Sequence, residues 1–175
     1  DLKPEESVNT ELGIYWQQDA LALDATLFYT KFKDKISDHL ICTASDTQKC
    51  TYNGYVADTV FQYANVSDAE IYGLELNGDW QVTSSLRANA NYTYTHSEQQ
   101  SGEYKGYALS DFPESMANVS LTWNAVNDLE LWTKASWRST SPDIGKSSET
   151  EAYALVDLGA RYHLNKNVTL MTGIY

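Results

Sequence analysis

The sequence predicts an all-β protein, a fragment of a large antiparallel transmembrane β-barrel. Three observations carry that reading. Apolar and polar residues alternate with a period of two in segment after segment. The connections between those segments switch between very short and long. Aromatic residues collect at the segment ends and leave an aliphatic band between them, as lipid-crossing strands do.

The clearest alternation lies within 84–97, SSLRANANYTYTHS. Leu86, Ala88, Ala90, Tyr92 and Tyr94 fall on one face, and Arg87, Asn89, Asn91 and Thr93 on the other. The first face is small and aliphatic, then ends in tyrosines; it suits hydrocarbon followed by headgroups. The second suits a wet lumen. Taken alone, this stretch also fits a half-exposed strand of a soluble β-sandwich, and its recurrence along the chain is what favours the barrel.

In chain order, 1–6 is a polar lead-in with Pro4. Strand one, SVNTELGIYW, sets Val8, Leu12, Ile14 and Trp16 against Asn9, Glu11, Gly13 and Tyr15. After the QQDA turn, strand two sets Leu21, Leu23, Ala25, Leu27 and Tyr29 outward; Phe28 breaks the polarity of its inner face. A long loop is expected over 37–59. Strand three, from about Gln62 to Trp80, shows Tyr72, Leu74, Leu76 and Trp80 outward and Gly73, Glu75, Asn77 and Asp79 inward. A tight connection at 81–84 leads into strand four, described above, and 98–110 is the second long loop. Strand five, about 112–124, places Ala117, Val119, Leu121 and Trp123 outward. The VND turn gives strand six, with Leu129, Leu131, Thr133, Ala135 and Trp137 outward and Glu130, Lys134, Ser136 and Arg138 inward. The third long loop is 139–151. Strand seven sets Ala154, Val156, Leu158, Ala160, Tyr162 and Leu164 against Asp157, Gly159, Arg161 and His163. A turn at 165–167 opens strand eight, VTLMTGIY.

All the long connections therefore lie at one end. Barrels of the outer membrane have that asymmetry, with short periplasmic turns and long outer loops. Trp16, Trp80 and Trp123 sit beside the short turns. Tyr29, Tyr72, Tyr92, Tyr94, Trp137 and Tyr153 sit towards the long loops. Charge obeys the same plan: Glu75, Asp79, Arg87, Lys134, Asp157 and Arg161 all take the inward parity, where they avoid the roughly 2–4 kcal/mol that Arg or Lys costs at mid-membrane on the lipid face. Lys31, Lys33 and Lys35 share the apolar parity but lie beyond Tyr29, where the strand leaves hydrocarbon.

Composition sets bounds. The 175 residues suit one domain, and a net charge of −12 argues against a nucleic-acid partner. Mean hydropathy is −0.46, and no stretch approaches the roughly 18 apolar residues of a spanning helix. Thirteen tyrosines and five tryptophans are many for this length. Both ends read as cuts through a longer polypeptide. No Ser/His/acid arrangement or paired carboxylates suggest catalysis, so no enzyme is expected.

The segments DLKPEESVNTELGIY, LFYTKFKDKI, YANVSDAEIYGLELNGDW, YALSDFPESMANVSLTW and LNKNVTLMTGIY, in that order, resemble the C-terminal half of the barrel in TonB-dependent outer-membrane receptors. The likeness is greatest to the catecholate-siderophore and colicin-receptor branch. The resemblance implies a plug inside a barrel of about 22 strands, of which residues 1–175 supply about eight consecutive strands, without the plug and the final strand. It further implies uptake of a ferric siderophore in the outer membrane of a Gram-negative bacterium, energised by TonB–ExbB–ExbD through the N-terminal region, with use by colicins or phage. Outer-membrane lipid, lipopolysaccharide and the protein's own plug are the other partners implied. No cofactor is expected on this segment, since the ferric siderophore is transported ligand. The alternative is a small eight-stranded barrel with a structural, adhesive or diffusive-pore role.

In the outer loops, Cys42 and Cys50 lie on the oxidising side and are expected to pair, restraining a loop of about nine residues by roughly 2–3 kcal/mol. A metal site would need more ligands than the nearby His39. His39, Lys49, Tyr52 and Tyr55 in the first long loop, and Tyr104, Lys105 and Tyr107 in the second, are candidate ligand-facing residues, the phenols offering flat apolar area and a hydroxyl. Asp46, Asp58 and Glu103 read as solvated or cation-bridged surface. Glu75, Arg87, Lys134, Asp157 and Arg161 are expected to line the lumen in hydrogen bonds and ion pairs. Asn65, Asn91, Asn118 and Asn167 open N-x-S/T sequons but read as strand or turn residues.

Overall fold

A computed structural model describes residues 2–43, 50–52, 54–102, 104–110, 112–142 and 149–175. The backbone pairs as one eight-stranded antiparallel sheet in chain order: β1 (Glu6–Gln18), β2 (Leu21–Thr43), β5 (Thr59–Gln81), β6 (Leu86–Gln99), β7 (Ser115–Val126), β8 (Leu129–Arg138), β9 (Tyr153–Asn165) and β10 (Val168–Ile174). The short strands β3 (Thr51–Tyr52) and β4 (Tyr55–Val56) form a separate hairpin between β2 and β5. The turns at the β1–β2, β5–β6, β7–β8 and β9–β10 ends are tight. Asp19 closes the first at φ 49°, a left-handed conformation that Asp tolerates better than most residues.

The register joins the alternations of separate strands into two faces. One row crosses seven strands through Trp16, Leu23, Gly78, Ala90, Val119, Ala135 and Val156. The row one residue away runs through Gln17, Ala22, Asp79, Asn89, Ser120, Lys134 and Asp157. Each strand's period of two is thus a property of the whole sheet. A slip of one residue in any pair would turn that strand's apolar set onto the polar side.

Neither face is covered by another layer. The buried apolar residues among those described are Cys42, Cys50 and Ala69, whereas Leu12 is 72% exposed and Ile14 70%. A water-soluble domain does not leave so continuous an apolar surface open, and a sandwich would bury one face. Lipid covers it at no such cost. The edge strands lead the same way. Among the described residues β1 pairs only with β2 and β10 only with β9, so the sheet does not close on itself. Unpaired edge groups cannot persist in hydrocarbon, and further strands must continue the wall on both sides.

The first long loop is a correction. The alternation opens a loop at Ser37, but β2 runs on to Thr43 and pairing resumes at Thr59. Both strands have 23 residues, against the roughly 9–11 that cross a bilayer. The surplus of about 12 residues projects about 40 Å along the strand beyond the membrane. Out there both faces are wet, so pairing continues without a hydrophobic period to announce it. Register shifts between Phe32 and Lys35, Lys35 and Ile36, and Leu40 and Cys42 mark the transition, with Asp34 at φ 54° in the first.

The face assignment predicts unequal effects for two adjacent substitutions. Ala90→Arg puts charge beside Gly78 and Val119 on the lipid side and is expected to cost about 2–4 kcal/mol, nearer the lower figure if the side chain snorkels. Asn89→Arg puts it next to Asp79 and is expected to cost less. Urea midpoints for folding of the full-length protein into bilayers compare them; equal losses, or a larger loss at Asn89, contradict the assignment.

Candidate functional site

The polar groups of this sheet lie on the inner face and at its outer rim, opposite the apolar face. Nearest the short turns, Arg87 Nε donates to both Asp79 carboxylate oxygens at 3.2 and 3.1 Å, and its Nη2 donates to Oδ2 at 2.7 Å. Asn89 Nδ2 donates to the same carboxylate. On β8 and β9, Arg161 Nη1 donates to Glu130 Oε1 at 3.0 Å. Lys134 stands opposite Asp157 in the β8–β9 register, and Glu75 opposite Thr26 and Thr93. All five sequence-predicted luminal residues therefore share one face, spaced apart along it rather than gathered into one cluster.

Amide and hydroxyl bonds fill the middle of this face. Asn77 Nδ2 donates to Asp24 Oδ1 at 2.8 Å, Asn118 Nδ2 to Asn91 Oδ1 at 2.9 Å, and Thr30 Oγ1 to Asn9 Oδ1 at 2.8 Å. Asn91 and Asn118 are thus cross-strand partners. Asn65 ties the lead-in to the bulge, donating to the carbonyls of Lys3 and Asp34 at 3.0 and 2.6 Å and accepting from Lys3 N at 2.8 Å. Asn167 N donates to Asn165 Oδ1 in the last turn.

Two inner-face aromatics lie over glycines of the neighbouring strand. Phe28 is the register partner of Gly73, and Trp132 of Gly159. A Cβ at Gly73 would come within 2.7 Å of Phe28 Cζ, and one at Gly159 within 2.6 Å of Trp132 Nε1. Each ring covers backbone that a glycine would leave bare. This accounts for Phe28 on a polar face, and only the strand register reveals the glycine it covers.

The outer rim contains a cluster the alternation misassigned. Tyr153 does not belong with the outer aromatic girdle; it has the parity of Asp157 and lies opposite Arg138. The Arg138 guanidinium carbon lies 5.3 Å from the Tyr153 ring centroid, within cation–π range. Its Nη2 donates to Ser141 Oγ at 2.6 Å, while its buried Nε has no hydrogen-bond partner among the described residues. Ser141 is fully buried, with its backbone doubly paired to Thr150 at 3.0 Å. Counting back one residue from Ala154 would have put Tyr153 inside.

The loop candidates separate into two hairpins. Tyr55, 81% exposed, lies in β4 at the tip above β2 and β5. Tyr104, Lys105 and Tyr107 lie in the turn after β6, which folds back through Gly106 N to Gln99 O at 2.8 Å and Gln99 N to Tyr107 O at 2.9 Å. Among the described residues no side-chain hydrogen bond joins the two sets. The side chains of His39 and Tyr52 lie outside the described residues, as do Lys49, Asp46 and Glu103; Asp58 is exposed. Cys42 and Cys50 form a disulfide with Cα atoms 5.7 Å apart, both sulfurs withdrawn from solvent. Beyond Tyr29, Lys31 Nζ is 3.9 Å from Glu70.

The two-faced wall, its tight turns at one end and its long clamped hairpin at the other define part of the wall of a large outer-membrane β-barrel. The chain belongs to the TonB-dependent receptors: the family model for the TonB-dependent receptor-like β-barrel matches residues 1–175. It is 34% identical to the iron-regulated outer membrane virulence protein of Vibrio cholerae, covering 100% of this chain and 27% of that protein. It is 29% identical to the ferric enterobactin receptor of Pseudomonas aeruginosa, over 99% of this chain and 24% of the relative. A structure of a P. aeruginosa ferric enterobactin receptor in complex with enterobactin superposes with a TM-score of 0.72 at 29% identity, covering 98% of this chain and 26% of that one. The copper transporter OprC, at 20% identity and a TM-score of 0.79, shares the fold over 99% of this chain and 25% of its own. The chain thus spans about a quarter of the length of its relatives.

The disulfide makes a separate prediction. Thiol labelling of the folded protein without reduction should leave Cys42 and Cys50 unmodified. Cys42→Ser should increase proteolysis around the β3–β4 tip, by removing a restraint of about 2–3 kcal/mol, and leave assembly of the wall unchanged. Labelling of both cysteines before reduction would contradict the pairing.

Proposed function

We propose that the full-length protein is an outer-membrane receptor that takes up a ferric siderophore of the catecholate type, with energy supplied by TonB–ExbB–ExbD. Residues 1–175 provide wall and outer hairpins; an N-terminal plug and further strands, including the last, come from the rest of the polypeptide. The observation that carries this reading is the open eight-stranded wall matched along its whole length by a receptor-barrel family. The relatives named for ferric enterobactin point to the ligand class. The unclosed edges count against the small self-contained barrel.

Within that reading, the exposed phenols of Tyr55, Tyr104 and Tyr107, with Lys105, His39, Lys49 and Tyr52, offer aromatic and cationic contacts to a ligand arriving from outside. Glu75, Arg87, Lys134, Asp157 and Arg161 hold the inner face against the plug. Lipid and lipopolysaccharide cover the outer face, and the projecting β2–β5 hairpin would be the first surface met by a colicin or phage. The role is binding and transport, and the ferric chelate is cargo.

Radiolabelled iron supplied as ferric enterobactin tests it. Cells lacking the gene are expected to lose uptake, regain it from a plasmid copy, and fail to regain it where TonB is also absent. Unchanged uptake of every catecholate and hydroxamate chelate in the deletion strain would overturn the proposal.

A further inference from the structure

The inner face carries three arginines, and among the described residues only Arg138, at the long-loop end, shows no carboxylate partner. Arg87 places its Nε/Nη2 edge on the two oxygens of Asp79, and Arg161 reaches Glu130. Arg138 presents the same Nε/Nη2 edge, but a neutral hydroxyl, Ser141 Oγ, occupies Nη2, and Nε has no partner among the described residues. Its register neighbours are Met116 and Tyr153, neither of them acidic. Glu114, two residues before Met116, has its carboxylate 3.5 Å from His96 Nδ1. A buried guanidinium N–H without a partner is uncommon enough to need an explanation. A planar fork pairs best with two adjacent anionic oxygens.

The position adds to the argument. Arg138 ends β8 on the inner face, on the side of the long loops, where a ligand from outside first enters the lumen. Tyr153 supports the guanidinium from one side, which fixes its plane and leaves little rotamer freedom to lose on binding. Backbone pairing of Ser141 with Thr150 fixes the hydroxyl that now holds Nη2.

The geometry points to Arg138, seated on Tyr153, as an anion-binding side chain of the outer mouth that takes paired oxygens of an incoming ferric catecholate by displacing Ser141 Oγ. This rests on the proposed uptake of such a chelate. Charge favours it: catecholate oxygens around iron(III) leave the complex net anionic, whereas the chain as a whole, at −12, would otherwise repel it. A cation at the mouth offsets that repulsion locally.

The test is equilibrium binding to the purified full-length receptor in detergent, with ferric enterobactin and an uncharged ferric hydroxamate as probes. Arg138→Gln is expected to weaken ferric enterobactin binding by at least about tenfold, the effect of losing charged hydrogen bonds. The loss should shrink as salt rises and leave any hydroxamate binding unchanged. Arg138→Lys, which retains charge and gives up the fork, should fall between. Affinities of both variants for ferric enterobactin equal to that of the unaltered receptor would overturn the role of Arg138, as would equal losses for both probes. Failure of the unaltered receptor to bind any ferric chelate would instead overturn the uptake reading, and this inference with it.

Discussion

The constraint on which everything else depends is backbone hydrogen bonding in a medium without water. Hydrocarbon offers a peptide group no partner, so each strand that crosses must pair on both sides. Neighbour-to-neighbour antiparallel pairing from β1 to β10 is the local solution. Once pairing is obligatory, the pleat assigns alternate side chains to opposite media. Ala90 and Asn89, one residue apart, belong to different solvents because their carbonyls and amides must all be used in the same ladder.

That division gives the two faces different tasks. The outer face needs only to be apolar, and small residues such as Ala88, Ala90 and Ala135 meet the requirement. The inner face must hold charge and polar groups at defined positions, which it does with pairs spanning adjacent strands: Asp79 with Arg87, Glu130 with Arg161, Asn91 with Asn118. Such open pairs contribute little stability individually, about 0–1 kcal/mol. Their effect is to set which charges remain uncompensated, and among the described residues Arg138 stands out against them.

The membrane-crossing part of the fold was legible because the solvent changes on alternate residues. Leu86 to Tyr94 states its faces without tertiary information, and the tight turns identify the periplasmic end. Legibility failed where the solvent became the same on both sides. Beyond Tyr29 and Tyr72 water bathes both faces, so 37–43 reads as loop although it pairs with β5. Composition cannot report backbone pairing there. The clamp at Cys42 and Cys50 was readable from spacing and topology. The Arg138–Tyr153–Ser141 cluster was legible only in part: parity puts Tyr153 on the inner face, but register is needed to set it opposite arginine. Phe28 and Trp132 needed the same knowledge, since the glycine each covers lies on another strand.

Site-directed spin labelling along β6 measures the central claim most directly. Single labels at each position from Leu86 to Tyr94, in the full-length protein reconstituted in bilayers, report collision with dissolved oxygen, which concentrates in hydrocarbon. The two-solvent wall predicts high oxygen collision at 86, 88, 90, 92 and 94 and low collision at 87, 89, 91 and 93. A profile with no alternation, or with its maxima at Arg87, Asn89, Asn91 and Thr93, would contradict it.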